Sequence, residues 1–194
     1  MDSSFIDINK VNKLSPKKGR ILLAEPFMKD DHFSRSVIYL CDHNDEGSYG
    51  FILNNILNVK LNEIIEDKNL PNLDVFYGGP VHATNLFFIH QLGDVLDKSI
   101  ELGNNLYTGG DFNQIAEFLN LGILDKSKIK FFLGYSGWSK NQLLEEMKTH
   151  SWIVSEIKDE DIFKKNNDLW KDVLQKKGGR YKAIANFPLN PSDN

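Results

Sequence analysis

The stretch that decides the fold is Phe131-Phe-Leu-Gly-Tyr-Ser-Gly-Trp-Ser-Lys-Asn-Gln-Leu-Leu-Glu-Glu-Met147. With Ile129 it makes a run to Leu133 that is apolar at nearly every position, which predicts a short buried strand. Gly134 and Gly137 permit a sharp turn with positive φ angles. Ser139 and Gln142 have the S-x-x-Q spacing of a capping box, in which the serine oxygen accepts a first-turn amide and the glutamine reaches back. Loss of such a serine cap costs about 0.5–2 kcal/mol. Leu143, Leu144 and Met147 supply the apolar stripe of the following helix. The unit reads as strand, glycine turn, capped helix. Tyr135 and Trp138 then stand at the strand's carboxyl end, where open α/β sheets bind ligands.

A catalytic serine at this turn requires G-x-S-x-G. Here the five residues are Gly134-Tyr-Ser-Gly-Trp138, and tryptophan stands in place of the last glycine. The one later histidine is His150, and no Asp and His pair is evident downstream. The simpler reading is that the glycines permit the turn and Tyr135 and Trp138 pack over it.

The chain has 194 residues, 41% apolar and 26% charged, the balance of one globular domain. A net charge of −4 gives no electrostatic pull toward nucleic acid or an anionic membrane. The best basic cluster, Lys17, Lys18 and Arg20, is small. The single cysteine, Cys41, excludes an internal disulfide framework and lies in the apolar run Val37-Ile-Tyr-Leu-Cys41, which predicts a buried, inert thiol. The N-terminal residues lack a basic start and an apolar core, and no apolar run approaches the roughly 18 residues of a membrane span, so a cytoplasmic protein is expected.

Along the chain, strands are expected over residues 19–24, 35–41, 49–53, 73–77, 85–90, 104–108, 129–133 and 152–155. Helices are expected over 61–65, 111–120, 139–147, 159–164 and 168–177, with Asp111 and Gln114 as a second cap pair and Gly178-Gly179 as a terminator. Asp42, Asn44, Glu46 and Gly47 imitate the start of a calcium loop, but Leu53 stands where the bidentate glutamate is needed, so a hairpin turn is the better reading. Gly109-Gly110 is followed by Asp111, whose carboxylate repels phosphate, and no phosphate-loop or dinucleotide motif is present. The five histidines form no H-x-x-x-H pair, and His90 reads as a hydrogen-bonded structural residue. No cofactor or metal is therefore predicted. Gly78-Gly79-Pro80 lets backbone approach either a ligand or another strand, with close packing of the chain on itself the favoured use.

These motifs, taken in order, resemble the YqgE/AlgH family of small bacterial proteins. The matching stretches are Gly19-Arg-Ile-Leu-Leu-Ala-Glu-Pro26, Phe33-Ser-Arg-Ser-Val37, Gly47-Ser-Tyr-Gly-Phe-Ile-Leu-Asn54, Tyr77-Gly-Gly-Pro-Val81, Phe88-Ile-His90 and Gly134-Tyr-Ser-Gly-Trp138 with Gln142-Leu143. The resemblance implies an α/β (α+β) fold with a bifurcated, largely antiparallel sheet curled into a pseudo-barrel and flanked by helices. The matching stretches span about residues 19–154, and one such domain is expected over 19–187; the polar, mixed residues 1–18 read as an N-terminal arm and 188–194 as a loose tail. Two departures stand out. Asn55 and Ile56 replace the family's Arg-Pro, and Leu144 stands where the family carries an acidic residue, although Glu146 matches a later glutamate.

Three functions are compatible with this reading. The first is a non-enzymatic module that binds a small ligand or a protein partner through a cleft lined by Arg35, Asn54, Gly79, Pro80, Tyr135, Trp138, Gln142 and Glu146. The second is a transcriptional regulator, as the family's label suggests. The acidic balance and the lack of a legible helix-turn-helix point to action through a partner rather than direct nucleic-acid contact. The third is a hydrolase with an unrecognised site. Trp138, Gln142 and Glu146 fall on one helical column, and Arg35 is expected to approach it and pair with Glu146 or Gln142.

Overall fold

A computed structural model describes residues 14–187. In chain order it contains β1 (Ile21–Ala24), β2 (Val37–Asn44), β3 (Gly47–Ile52), β4 (Ile56–Lys60), α1 (Leu61–Ile64), β5 (Asp74–Tyr77), β6 (Val81–His90), β7 (Ser99–Gly103) and β8 (Leu106–Gly109). Then follow α2 (Phe112–Asn120), β9 (Ile129–Ser139), α3 (Gln142–Lys148), β10 (Trp152–Ser155), α4 (Asp159–Phe163), α5 (Leu169–Lys177) and α6 (Gly179–Ile184). The expected arm falls outside the described residues up to 13, as does the expected tail over 188–194. No helix among the described residues is long and apolar enough to cross a membrane.

The sheet runs β10-β1-β2-β3-β9-β6-β8-β7 with every pair antiparallel, and it curls into a half-barrel, as expected. β9 is its trunk and the place where it divides. One edge of β9 pairs with β6. The other edge pairs first with β5, in parallel through Phe131–Leu133, and then with β3, antiparallel through Ser136–Ser139. The expected strand, glycine turn and helix is corrected here, because β9 continues for 11 residues through Gly134 and Gly137. Only Gly134 of the pair takes a positive φ, +69°. There the pairing with β6 slips from Tyr135↔Val81 to Leu133↔Leu86, so four β6 residues stand opposite the single residue Gly134 and bow outward.

Gly78 and Gly79 meet this slip. A side chain at Gly78 would overlap the Gly134 carbonyl, one at Gly79 the backbone of Tyr135 and Ser136, and one at Gly134 the Gly79 carbonyl. The Gly78 amide donates to Leu133 O at 2.8 Å, and its carbonyl accepts from the Ile52 amide and from Ser136 Oγ, each at 3.0 Å. Close packing of the chain on itself is thus the use of Gly78-Gly79-Pro80. Ser136 Oγ, the candidate nucleophile of the elbow reading, is buried and donates to that carbonyl.

β1 is apolar at all four positions because both of its faces are covered. Ile21 and Leu23 join Val37, Tyr39 and Cys41 beneath α4, α5 and α6. Leu22 and Ala24 join Ile38, Leu40, Trp138 and Trp152 beneath Leu143 of α3. A third layer packs Ile115 and Leu119 of α2 against Val75, Phe88 and Phe131. Burial pushes the Cys41 thiol far up, consistent with an inert core residue. His90 is structural, as expected: Nε2 meets Gly109 O at 3.0 Å, Nδ1 accepts from the Leu92 amide, and burial lowers its pKa. The acidic turn is a β2–β3 hairpin closed by Asn44 Nδ2 on Asp42 Oδ2 and the Glu46 amide on Asn44 Oδ1.

Capping departs from expectation at two helices. Asn141, at φ +63°, occupies the N-cap of α3, and Ser139 Oγ turns to Gln142 Oε1 instead of a first-turn amide. Gln142 does reach back to the Ser139 amide, at 3.0 Å. At α2, Asp111 caps Asn113 N as expected, whereas Gln114 binds Asp97 through both ends of its amide.

Lys130 hides within the apolar run. It is 2% exposed, and its Nζ donates at 3.0 Å to Ile162 O and to Lys164 O, carbonyls left free where α4 ends. It also lies 3.8 Å from the centroid of the Phe76 ring. Burial pulls its pKa down to about 7, against the opposing charge of Asp74. A neutral amine still has two hydrogens for the two carbonyls. Between pH 7 and 10 the unfolded chain binds a proton at Lys130 that the folded chain does not, so stability rises with pH there. The urea-unfolding free energy of the wild type should therefore gain on that of Lys130→Met by up to about 1.4 kcal/mol per pH unit between pH 7.5 and 9.5. A difference that stays flat over this window assigns Lys130 an ordinary pKa.

Candidate functional site

Arg35 lies just before β2 in a left-handed backbone, φ +51°, a conformation costing a non-glycine residue on the order of 1–3 kcal/mol. Asn54, just beyond β3, holds it there. Its Nδ2 donates to Arg35 O at 3.0 Å, and its Oδ1 accepts from the Val37 amide at 2.9 Å, so one side chain stands in for a strand partner at the mouth of β2. The Arg35 guanidinium lies over Trp170 of α5, 5.0 Å from the ring centroid, and its Nη2 donates to Phe187 O. Trp170 is itself fixed by its Nε1 donating to Ala24 O at 2.8 Å.

These residues surround a cleft of about 230 Å³, to which His32, Ser34, Ser36, Asn55, Asn167 and Lys171 also contribute. Two of its lining residues each bury a polar atom that has no partner among the described residues: Arg35 Nε and Ser36 Oγ. Ser36 is only 3% exposed. Buried polar groups are nearly always hydrogen-bonded, and leaving one unpaired costs about 1–3 kcal/mol. At the rim, His32 Nδ1 lies 2.7 Å from Tyr77 OH and the two rings stack. The lining is rich in donors, with Arg35 and Lys171 positive against Asp168. Such a set suits a carboxylate or phosphate oxygen.

The column of Trp138, Gln142 and Glu146 exists, with a different use. Glu146 Oε2 accepts from Nε1 of Trp138 at 2.8 Å and from Nε1 of Trp152 at 2.7 Å, while Oε1 accepts from Gln142 Nε2 at 3.1 Å. One carboxylate thus ties α3 to two indoles of the sheet. The expected approach of Arg35 is corrected. Trp138 and Trp152 belong to the core layer beneath α3, whereas Trp170, which carries Arg35, belongs to the layer on the sheet's other face. Tyr135 lines another cavity, of about 400 Å³, with Tyr49, Phe51, Phe87, Ile100, Thr108 and Gly109. Gly79 is buried in the fork of the sheet, and Pro80 is exposed beside it.

Of the eight residues expected to share one cleft, the structure places Arg35 and Asn54 in this one, keeps Trp138, Gln142 and Glu146 together on the other face of the sheet, and puts Gly79, Pro80 and Tyr135 outside both groups. Ser36, Trp170 and His32 escaped the sequence reading. Ser36 did carry a signal, a hydroxyl between Arg35 and the apolar run that opens β2. Replacing Glu146 by Ala leaves two indole donors without their acceptor and should lower stability by about 2–3 kcal/mol in urea unfolding. A loss below 0.5 kcal/mol would show that the column is not holding α3.

Comparison with known proteins agrees with this architecture. A family profile described as AlgH-like matches residues 21–182. A UPF0301 protein from Cytophaga hutchinsonii is 42% identical over 176 residues, covering 90% of this chain and 97% of the relative. A UPF0301 protein from Bacteroides thetaiotaomicron is 39% identical over 198 residues, covering 100% and 99%. The crystal structure of DIP2367 from Corynebacterium diphtheriae shares the fold, with a TM-score of 0.76 at 22% identity over 94% of this chain and 100% of that one. The solution structure of AlgH from Pseudomonas aeruginosa aligns with a TM-score of 0.72 at 25% identity, covering 91% and 97%. With its profile spanning most of the sequence and relatives matched end to end, the chain belongs to the AlgH-like family.

Proposed function

We propose that the protein is a non-enzymatic binding module whose ligand is a small anion, carboxylate or phosphate, seated in the Arg35 cleft. One observation carries the reading. Arg35, in a strained backbone, and the buried Ser36 stand side by side in the lining of one cleft of about 230 Å³, and each keeps a buried polar atom without a partner among the described residues. An anion with two or more oxygens supplies the missing acceptors. Asn55 and Lys171 also line the same concave site and can contribute polar groups to fix its orientation.

Thermal unfolding with inorganic phosphate, acetate and citrate tests this, because a ligand of the native state raises the melting temperature by mass action. At a hundredfold excess over Kd the stabilisation is about 2.7 kcal/mol, a rise on the order of 5–10 °C. Arg35→Lys keeps the charge, removes the fork and should abolish most of the rise. Amide shifts mapping to residues outside the cleft would overturn the site. With a chain charge of −4, duplex DNA should bind no tighter than 10 µM at physiological salt, a weakness of the order expected for non-specific contacts or below. Fluorescence anisotropy that finds submicromolar affinity would reverse that expectation.

A further inference from the structure

The occupant of Arg35 in this structure is part of the same chain, and it fits the donor set incompletely. Arg35 Nε–H and one hydrogen of Nη2 point the same way and form the two-pronged edge that grips a carboxylate. Nη2 donates to the carbonyl of Phe187, 152 positions away in sequence, while Nε has no acceptor among the described residues. A peptide carbonyl brings one oxygen to a fork built for two. The Phe187 ring meanwhile stacks on Phe27, centroids 5.4 Å apart and planes at 16°. Fork and ring contact together describe an aromatic residue whose backbone carbonyl carbon bears a second oxygen.

We infer that the Phe27–Arg35 site recognises a carboxylate carried next to an aromatic side chain, and that Phe187 occupies this site in its absence. The inference rests on the anion reading of the cleft and names its ligand class. The chemistry is shared by a free aryl-bearing acid and by a peptide ending in an aromatic residue. Displacement is local. Ile184 and Ala185 remain buried in the core, and among the described residues the exposed Asn186 and the half-buried Phe187 swing away. The ties to be released include the Phe187 carbonyl on Arg35, the Phe187 amide on Ile184 O and the Asn186 amide on Ala183 O, both at 3.1 Å, Asn186 Nδ2 on Lys182 O at 3.0 Å, the stack on Phe27 and the packing of the Phe187 ring on the core. The incoming carboxylate fills Nη2 and Nε together, and its ring replaces that of Phe187.

The test is calorimetric titration of the full-length protein with N-acetyl-phenylalanine, its amide, acetate, inorganic phosphate and an acetylated pentapeptide ending in free phenylalanine. The acid should bind at least tenfold tighter than its amide and tighter than acetate. Phe187→Ala should tighten the acid three- to tenfold, because the internal competitor loses its stack. Arg35→Lys should erase the preference for acid over amide, and circular dichroism melting confirms that each variant is folded. Equal affinity for the acid and the pentapeptide supports the inference with a small acid as the source. A further tenfold gain with the pentapeptide supports it with a chain end as the source. Equal binding of acid and amide, or no effect of Phe187→Ala, overturns it. If acetate and phosphate still bind through Arg35 in that case, the anion reading survives alone. If no anion binds, both fall.

Discussion

The structure depends on three backbone segments crossing where no side chain fits. Within a few residues β9 exchanges β5 for β3 along one edge, and the segment leaving β5 must pass through the exchange. Gly78, Gly79 and Gly134 interlock there: a Cβ on Gly78 would meet the Gly134 carbonyl, one on Gly134 the Gly79 carbonyl, and one on Gly79 the backbone of Tyr135 and Ser136. The consequences run outward. The Ile52 amide bonds to Gly78 O, which ends β3 at the crossing, and the Leu53 amide bonds to Val37 O, which sets the register with β2. That register places Asn54 beside the mouth of β2, where its amide group fixes the backbone on both sides of Ser36. The strained arginine is therefore a downstream product of a glycine crossing in a different part of the sheet.

This also explains how much could be read from the residues alone. Continuous apolar runs announced β1, β2 and β10, and the resemblance carried the bifurcated sheet. The reading of Gly134 and Gly137 as a turn failed because turn rules are local. What makes glycine necessary at 134 is a backbone more than fifty residues earlier in the chain. β4 and β7 are half-exposed and lack a clean apolar alternation, so nothing in their composition marks them. Lys130 was lost inside a run whose apolar character it interrupts, since its partners, the last carbonyls of α4, are invisible without the fold. At the cleft, Arg35 and Asn54 were legible as polar residues flanking strands. Trp170 and Phe187 reach them only through the packing of α5 and α6, a contact that no local periodicity encodes.

Three ionisable side chains, Glu146, Lys130 and Arg35, differ in how fully their polar atoms are paired. Glu146 has both oxygens engaged, by two indoles and an amide. Lys130 has two carbonyls and a ring face. In each case the surrounding polar groups are satisfied, and the residue ties one element to another. The polarity of the Trp138–Gln142–Glu146 column suggested a cleft edge, yet polar residues on an inward column serve equally well when indole N–H groups face them.

Arg35 differs in that its environment leaves part of it unsatisfied. The left-handed backbone, the orphaned Nε and the orphaned Ser36 hydroxyl fall within two adjacent residues, and each carries a cost on the order of 1–3 kcal/mol. Their sum is a sizeable share of the roughly 5–15 kcal/mol that holds a domain folded. A fold that satisfies Glu146 and Lys130 so fully has the means to satisfy Arg35: a second acceptor near Nε, or a glycine at its backbone position, would remove much of the cost. Arg35 and Ser36 both line a cleft, and the Phe187 carbonyl takes one nitrogen of the guanidinium. Local instability at such a place is what a binding site requires before its ligand arrives, because the interactions that a ligand completes must be incomplete without it.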